Sequence, residues 1–237
     1  MKKVLLAVFS VLFFQNVGYS QSRYSLGLVL GPNYTSLRGS DFLENTTPGF
    51  GFLAGLSIEH KINKTLSIST GVNFEQKVIK DERDYPITYI DESIGIIRHE
   101  TINAKTNNKF QYFSFPLLLK CSVGKSKSFY LSGGPYISFL QKHKKESKFV
   151  NKDGSGIIMY GSNYKYNFPL ADEVSGEYGV SVGIGKTFEI DLKNKISIEI
   201  RDNIGLKNAI EDTMIYGESG VIKTNTLNLI ANWSFNL

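Results

Sequence analysis

The stretch EYGVSVGIGKTFEI, residues Glu177–Ile190, decides the fold. Tyr178, Val180, Val182, Ile184, Phe188 and Ile190 stand at alternate positions, separated by Glu177, Gly179, Ser181, Gly183, Gly185 and Thr187. Successive side chains of a strand point to opposite faces, so this period of two describes a β-strand with one apolar face and one small, polar face. The same alternation recurs in seven other segments: 24–31, 50–59, 66–77, 110–121, 129–140, 196–207 and 226–237. Leu26, Leu28 and Leu30 carry it in the first of these, Phe113, Phe115, Leu117 and Leu119 in the fourth, and Leu227, Leu229, Ala231, Trp233 and Phe235 in the last. Each segment is about ten residues long, the length a tilted strand needs to cross a bilayer.

Soluble sandwiches and barrels alternate too, so the sense of the alternation matters. A soluble barrel puts its large apolar face inside and charge outside. Here the second face is Gly, Ser, Thr and Asn with the charges Glu59, Glu75, Glu177, Glu199 and Arg201. Small polar groups suit the narrow lumen of eight strands, and an unbroken Leu/Ile/Val/Phe face suits lipid. Lys186 and Asp202 fall in the apolar register, where a bulge or a place near the headgroup boundary accommodates each.

The connections alternate in length. Residues 34–49, 78–109, 141–174 and 208–223 make long ones, and 60–65, 122–128 and 191–195 make short ones marked by Asn63, Gly124 and Asp191 with Asn194. Short turns on one side and long loops on the other are the habit of transmembrane barrels. Tyr24, Phe110, Tyr112, Phe129, Phe188, Trp233 and Phe235 near the strand ends read as an aromatic belt. The expected fold is all-β: an eight-stranded antiparallel up-and-down transmembrane barrel with short periplasmic turns and long extracellular loops.

The amino terminus explains how the chain reaches a membrane. Lys2 and Lys3 precede the apolar run Val4–Phe14, and the small residues Gly18 and Ser20 precede Gln21. That is the plan of a signal peptide, too short to span as a helix. Residues 1–20 are therefore expected to be removed near Ser20/Gln21, leaving 21–237 as one barrel domain in the outer membrane of a Gram-negative cell. No later stretch approaches 18 consecutive apolar residues.

The segment Phe113-Ser114-Phe115-Pro116-Leu117-Leu118-Leu119-Lys120, followed after a turn by Phe129-Tyr130-Leu131-Ser132-Gly133-Gly134-Pro135-Tyr136, resembles the central hairpin of the PorT-like family of outer-membrane barrels, common in the Bacteroidota. The resemblance implies an eight-stranded barrel in the envelope. Some members of that family are tied to protein secretion, and most have no assigned activity. Proline inside a strand requires a bulge or a missing ladder bond, which Pro116 and Pro135 must each find.

The residues offer little for chemistry. His60, His99 and His143 fall in turns or loops with no serine selected by spacing, so no catalytic residue is assigned. The acidic group Asp81, Glu82, Asp84, Asp91 and Glu92 lacks the alternating ligands and central glycine of a calcium loop, and no metal is expected. With a single cysteine, Cys121, neither an internal disulfide nor a cysteine metal site can form. Gly183 and Gly185 lie within a strand, so they relieve crowding in the lumen and cradle no phosphate; no cofactor is expected. A net charge of +5 is too small and diffuse for a nucleic-acid binder. The expected surroundings are outer-membrane lipid and lipopolysaccharide, which the basic run Lys142, Lys144, Lys145 and Lys148 could contact. The chain is expected to be a non-enzymatic monomer that stabilises the envelope or presents its loops 78–109 and 141–174 to a protein partner, with an accessory role in secretion implied by the PorT-like resemblance alone and a lipid-modifying enzyme or a narrow channel as alternatives.

Overall fold

The computed structural model describes residues 23–39, 41–91, 95–124, 126–151, 159–160, 176–208 and 222–237. The leader 1–20, its cleavage point and Glu92 lie outside them. The strands are β1 (Tyr24–Arg38), β2 (Thr46–Lys61), β3 (Leu66–Asp91), β4 (Ile96–Val123), β5 (Phe129–Asn151), the two-residue β6 (Met159–Tyr160), β7 (Gly176–Glu189), β8 (Asn194–Gly205) and β9 (Lys223–Asn236). A 3-10 turn, Asp41–Asn45, leads into β2. The sheet runs β4-β3-β2-β1-β9-β8-β7-β5 and closes on itself through β4–β5, so eight antiparallel strands form a ring. The two-residue β6 adds only to the outer part of β5, opposite Lys148 and Phe149. The seam joins first and last strands, from Ser25↔Asn236 to Arg38↔Lys223.

Burial settles the sense of the alternation. Leu28, Val182 and Leu229 are 52%, 55% and 49% exposed, whereas Thr35, Ser138, Ser181, Thr226 and Asn228 are fully buried. An apolar outside around a polar inside is the reverse of a water-soluble barrel and fits a hydrocarbon surrounding. No helix among the described residues is long and apolar enough to cross a membrane, so any crossing falls to the strands.

Turn chemistry sits where the short connections require it. Asn63 Oδ1 accepts from the backbone N–H of Thr65 and of Leu66, both at 2.8 Å. Gly124 has φ 81°, a left-handed conformation that favours glycine. Asp191 Oδ1 accepts from the backbone N–H groups of Lys193 and Asn194, each at 2.7 Å. The Asn194 amide and these two N–H groups hold the Asp191 carboxyl below its ordinary range. Asp191→Ala is expected to lower the unfolding midpoint and Asp191→Asn to lower it less. A carboxyl depressed in the folded state stabilises above its unfolded value, near pH 4, and stops doing so as pH falls through the folded value. The gap between native protein and Asp191→Ala should accordingly shrink in a urea series taken to acid, and a gap that persists there refutes the ionised-carboxylate account.

Several expectations need correction. Residues 78–109 are not a loop: β3 and β4 stay in register from Leu66↔Cys121 to Asp91↔Ile96. Likewise β5 pairs with β4 as far as Ile102↔Asn151, well into the expected loop 141–174. These strands run 26, 28 and 23 residues against 12–16 for the other five of the ring. Beyond the ring the two faces need match neither lipid nor lumen, so pairing continues without apolar alternation. Phe110 and Tyr112 do not join an aromatic belt, because their parity is that of inward Ser114. Tyr112 is buried in the lumen, and Phe110 stacks on His143 at 4.3 Å. No bulge excuses Lys186 or Asp202, since the register is unbroken at both. Lys186 lies near the short-turn end with its ammonium 5.1 and 5.0 Å from the rings of Phe129 and Phe188. Asp202 pairs with Leu227, beyond which β9 turns polar at Asn225. Both prolines are accommodated by missing ladder pairs without a shift of register: β3–β4 skips from Thr70↔Leu117 to Asn73↔Ser114, passing Pro116, and β4–β5 skips from Pro116↔Tyr136 to Leu119↔Gly133, passing Pro135.

Candidate functional site: a sealed lumen and a projecting wing

Inward parity places Glu59, Glu75, Lys77, Lys120, Glu177, Glu199 and Arg201 inside the ring, where they sort into two clusters. In one, the Lys77 ammonium donates to both oxygens of Glu177 at 2.9 and 3.1 Å, and the Tyr136 hydroxyl donates to the same carboxylate. Lys77 also lies 5.1 Å from the centre of the Tyr112 ring. In the other, Arg201 grips Glu199 through two parallel bonds of 2.8 and 2.9 Å. Tyr130 and Ser132 complete that carboxylate at 3.0 and 2.7 Å. Lys120 bonds Glu59 at 3.0 Å and lies 5.1 Å from the Tyr130 ring. Glu59, Glu177 and Glu199 each meet an opposite charge and a further donor, the condition for ions to be tolerated away from water, whereas Glu75 makes no ion pair among the described residues.

An apolar plug of Val29, Leu53 and Ile230 occupies the lumen as well. Among the described residues, one cavity is lined by Glu75, Asn73, Asn228 and Tyr136 and another by Ser57, Ser69 and Lys120, each with room for roughly one or two waters. Polar atoms with no protein partner, among them Glu75 Oε1, Asn73 Oδ1 and Asn228 Oδ1, face the first. Glycines make space for the clusters. A Cβ on Gly183 would meet the Glu199 carboxylate and the Ser132 hydroxyl, and one on Gly185 the Tyr130 ring.

The pairing of Glu199 with Arg201 follows from their places one pleat apart. Glu177 does not join them, because it is taken by Lys77. Sequence reading overlooked Lys77, although its odd position after Glu75 carries the signal. The histidines stand apart in separate settings. His60 lies against the Tyr24 ring at 4.5 Å, His99 contacts Thr88 Oγ1 at 2.9 Å, and His143 contacts Asn108 at 3.3 Å. Burial, and then the charge of Lys145, lower the His143 pKa. The acidic group is likewise divided: Asp81 binds Arg83, Glu82 binds Lys105 and Asp84 accepts from Asn103. Cys121 is exposed on the outer face of β4.

Outside the ring, β3, β4 and β5 continue together as a three-stranded wing on the side away from the short turns. At its base the register of β4–β5 shifts between Gln111↔Lys142 and Tyr112↔Leu140, which leaves Gln141 as a one-residue bulge. The bulge reverses parity, so Lys142, Lys144 and Lys148 join the outward face. Lys145 is turned to the other side and does not belong to a common basic patch with them.

A closed eight-stranded ring with an apolar outside and a polar, charge-filled inside defines a membrane-spanning β-barrel. By sequence the chain belongs to the family described as outer membrane protein beta-barrel domain, whose model matches residues 15–211. No curated protein matches it by sequence. Among solved structures it is similar to Neisserial surface protein A, with 11% identity over 91% of this chain and 98% of that one, TM-score 0.44. It is also similar to Ail, the attachment invasion locus protein of Yersinia pestis, with 12% identity over 89% and 98%, TM-score 0.39. A third likeness is to the outer membrane protease OmpT from Escherichia coli, with 10% identity over 94% and 99%, TM-score 0.33.

Proposed function

We propose that this barrel is non-enzymatic, PorT-like within its family, and works by presenting its wing to a protein partner outside the cell. The observation that carries this reading is the excess length of β3, β4 and β5 over the other strands of the ring. A barrel whose only task is to span needs strands of about ten residues, and these three more than double that while staying paired. The Pro116 and Pro135 hairpin supports the PorT-like placement. The lumen supports a role outside it, since charge clusters and an apolar plug fill the space a solute would need.

Replacing residues 83–104 with a tight Asn-Gly turn trims the β3–β4 hairpin at the paired Glu82 and Lys105. The trimmed barrel is expected to fold, shown by heat-modifiable migration on gels, and to lose the proteins that cross-link to the native chain in intact cells. Unchanged cross-linked partners would sink the proposal. Altered lipid A acylation in a deletion strain favours an enzyme instead, and single-channel currents in a planar bilayer favour a pore.

A further inference from the structure

We propose that the outward face of the wing rests on the phosphate groups of an anionic glycolipid leaflet, held by Lys80, Lys142, Lys144 and Lys148. The inference rests on the membrane-spanning reading above and not on the wing having a protein partner. It begins with continuity. Followed toward the wing, the outer face of β4 reads Leu117, Phe115, Phe113, Gln111, Lys109, Asn107, Lys105. The facing strand reads Ile137, Phe139, Lys142, Lys144, Glu146, Lys148 across the bulge. Both change from apolar to cationic at one level, for Phe113 pairs with Phe139, Gln111 with Lys142 and Lys109 with Lys144. That level is where hydrocarbon must give way to headgroups.

The bulge supplies the second argument. Were Gln141 taken into the ladder instead of left out of it, parity would turn Lys142, Lys144 and Lys148 inward and set His143, Lys145 and Ser147 outside. Leaving one residue out of the ladder therefore exchanges a mixed face for a cationic one, and bulges serve to re-aim side chains in this way.

Charge placement supplies the third. Lys109 stands directly opposite Lys144, and Lys105 opposite Lys148. Like charges facing each other across strands are destabilising, so pairing alone does not favour them. Glu146 at 2.8 Å and Glu82 at 3.0 Å relieve Lys109 and Lys105. No ion pair among the described residues engages Lys80, Lys142, Lys144 or Lys148. Six lysines thus share a face with three carboxylates, those of Glu82, Asp84 and Glu146. Phosphates arrayed beside the barrel would complement the excess, and lysine stems can lie along the strand while their ammonium groups reach down to them.

The test uses the full barrel refolded in zwitterionic micelles, with heat-modifiable migration checked first. It is titrated with fluorescent lipid A carrying both phosphates and with the same lipid dephosphorylated. The native protein is expected to prefer the phosphorylated lipid by about tenfold to a hundredfold. The variant Lys142→Gln/Lys144→Gln/Lys148→Gln should lose that preference and the corresponding arginine variant keep it. Equal affinity of the native protein for both lipids, or an unaltered preference in the glutamine variant, overturns the proposal. So does a soluble sulfated glycan that binds the lysine face more tightly than the phosphorylated lipid, since the occupant is then a free polyanion. Lost lipid preference with cross-linked partners intact, or the reverse in the trimmed barrel, separates this proposal from the partner reading.

Discussion

Lys77→Met is expected to destabilise the barrel by about 3–5 kcal/mol, the usual cost of removing one partner from a buried ion pair. Lys77 is 1% exposed, and both of its bonds go to Glu177. Its removal strands the Glu177 carboxylate beside Glu75, itself 2% exposed and with one oxygen already unpartnered. Two uncompensated negative charges then share a lumen that holds little water. Adding Glu177→Gln should recover most of the loss, because the amide oxygen still accepts from Tyr136 while one charge is gone. The measurement is the urea midpoint of the compact, heat-modifiable form. A single variant as stable as native protein would mean that the Lys77 cluster contributes nothing to holding the ring closed.

Leu117→Arg tests the outside of the barrel in the same assay. Leu117 is 51% exposed and stands midway along the apolar face of β4, between Phe113 and Val123. An arginine on the lipid face near the midplane costs about 2–4 kcal/mol and near the interface about 0–1. The companion change Leu192→Arg, in a short turn where the side chain is 97% exposed, should leave the midpoint unchanged. If the two arginines behaved alike in lipid vesicles, the apolar face would not be facing hydrocarbon, and the membrane reading would fail at its root.

What the residues disclosed depended on whether a face was buried. Leu28, Val182 and Trp233 announce the ring because lipid on one side and a cramped lumen on the other enforce strict alternation. Glu199 and Arg201 could be paired on paper for the same reason, since parity put both inside. The wing obeyed no such rule. In Asp84-Tyr85-Pro86 both faces are wet and in Thr106-Asn107-Asn108 both are polar, so a strand there looks like a loop to any reading based on hydrophobic period. Gln141 was equally silent: a bulge is one residue too many, and it leaves no mark on composition. Tyr112 misled because an aromatic ring near a strand end fits a membrane interface as well as it fits a lysine in the lumen. Lys77 went unread because it was taken as the last residue of a strand that in fact continues to Asp91.

The seam between β1 and β9 bears on how the molecule is made. Ser25 hydrogen-bonds Asn236 at 2.8 Å across a separation of 211 residues. Until that contact forms, the sheet is an open ribbon whose two raw edges, at Tyr24–Arg38 and Lys223–Asn236, invite any extended chain nearby. Closure depends on contacts between the most distant parts of the sequence, the arrangement that folds slowest and leaves aggregation-prone intermediates longest. The chain thus stays sticky until β9 is seated against β1, and any delay in closing the ring leaves both edges open to wrong partners.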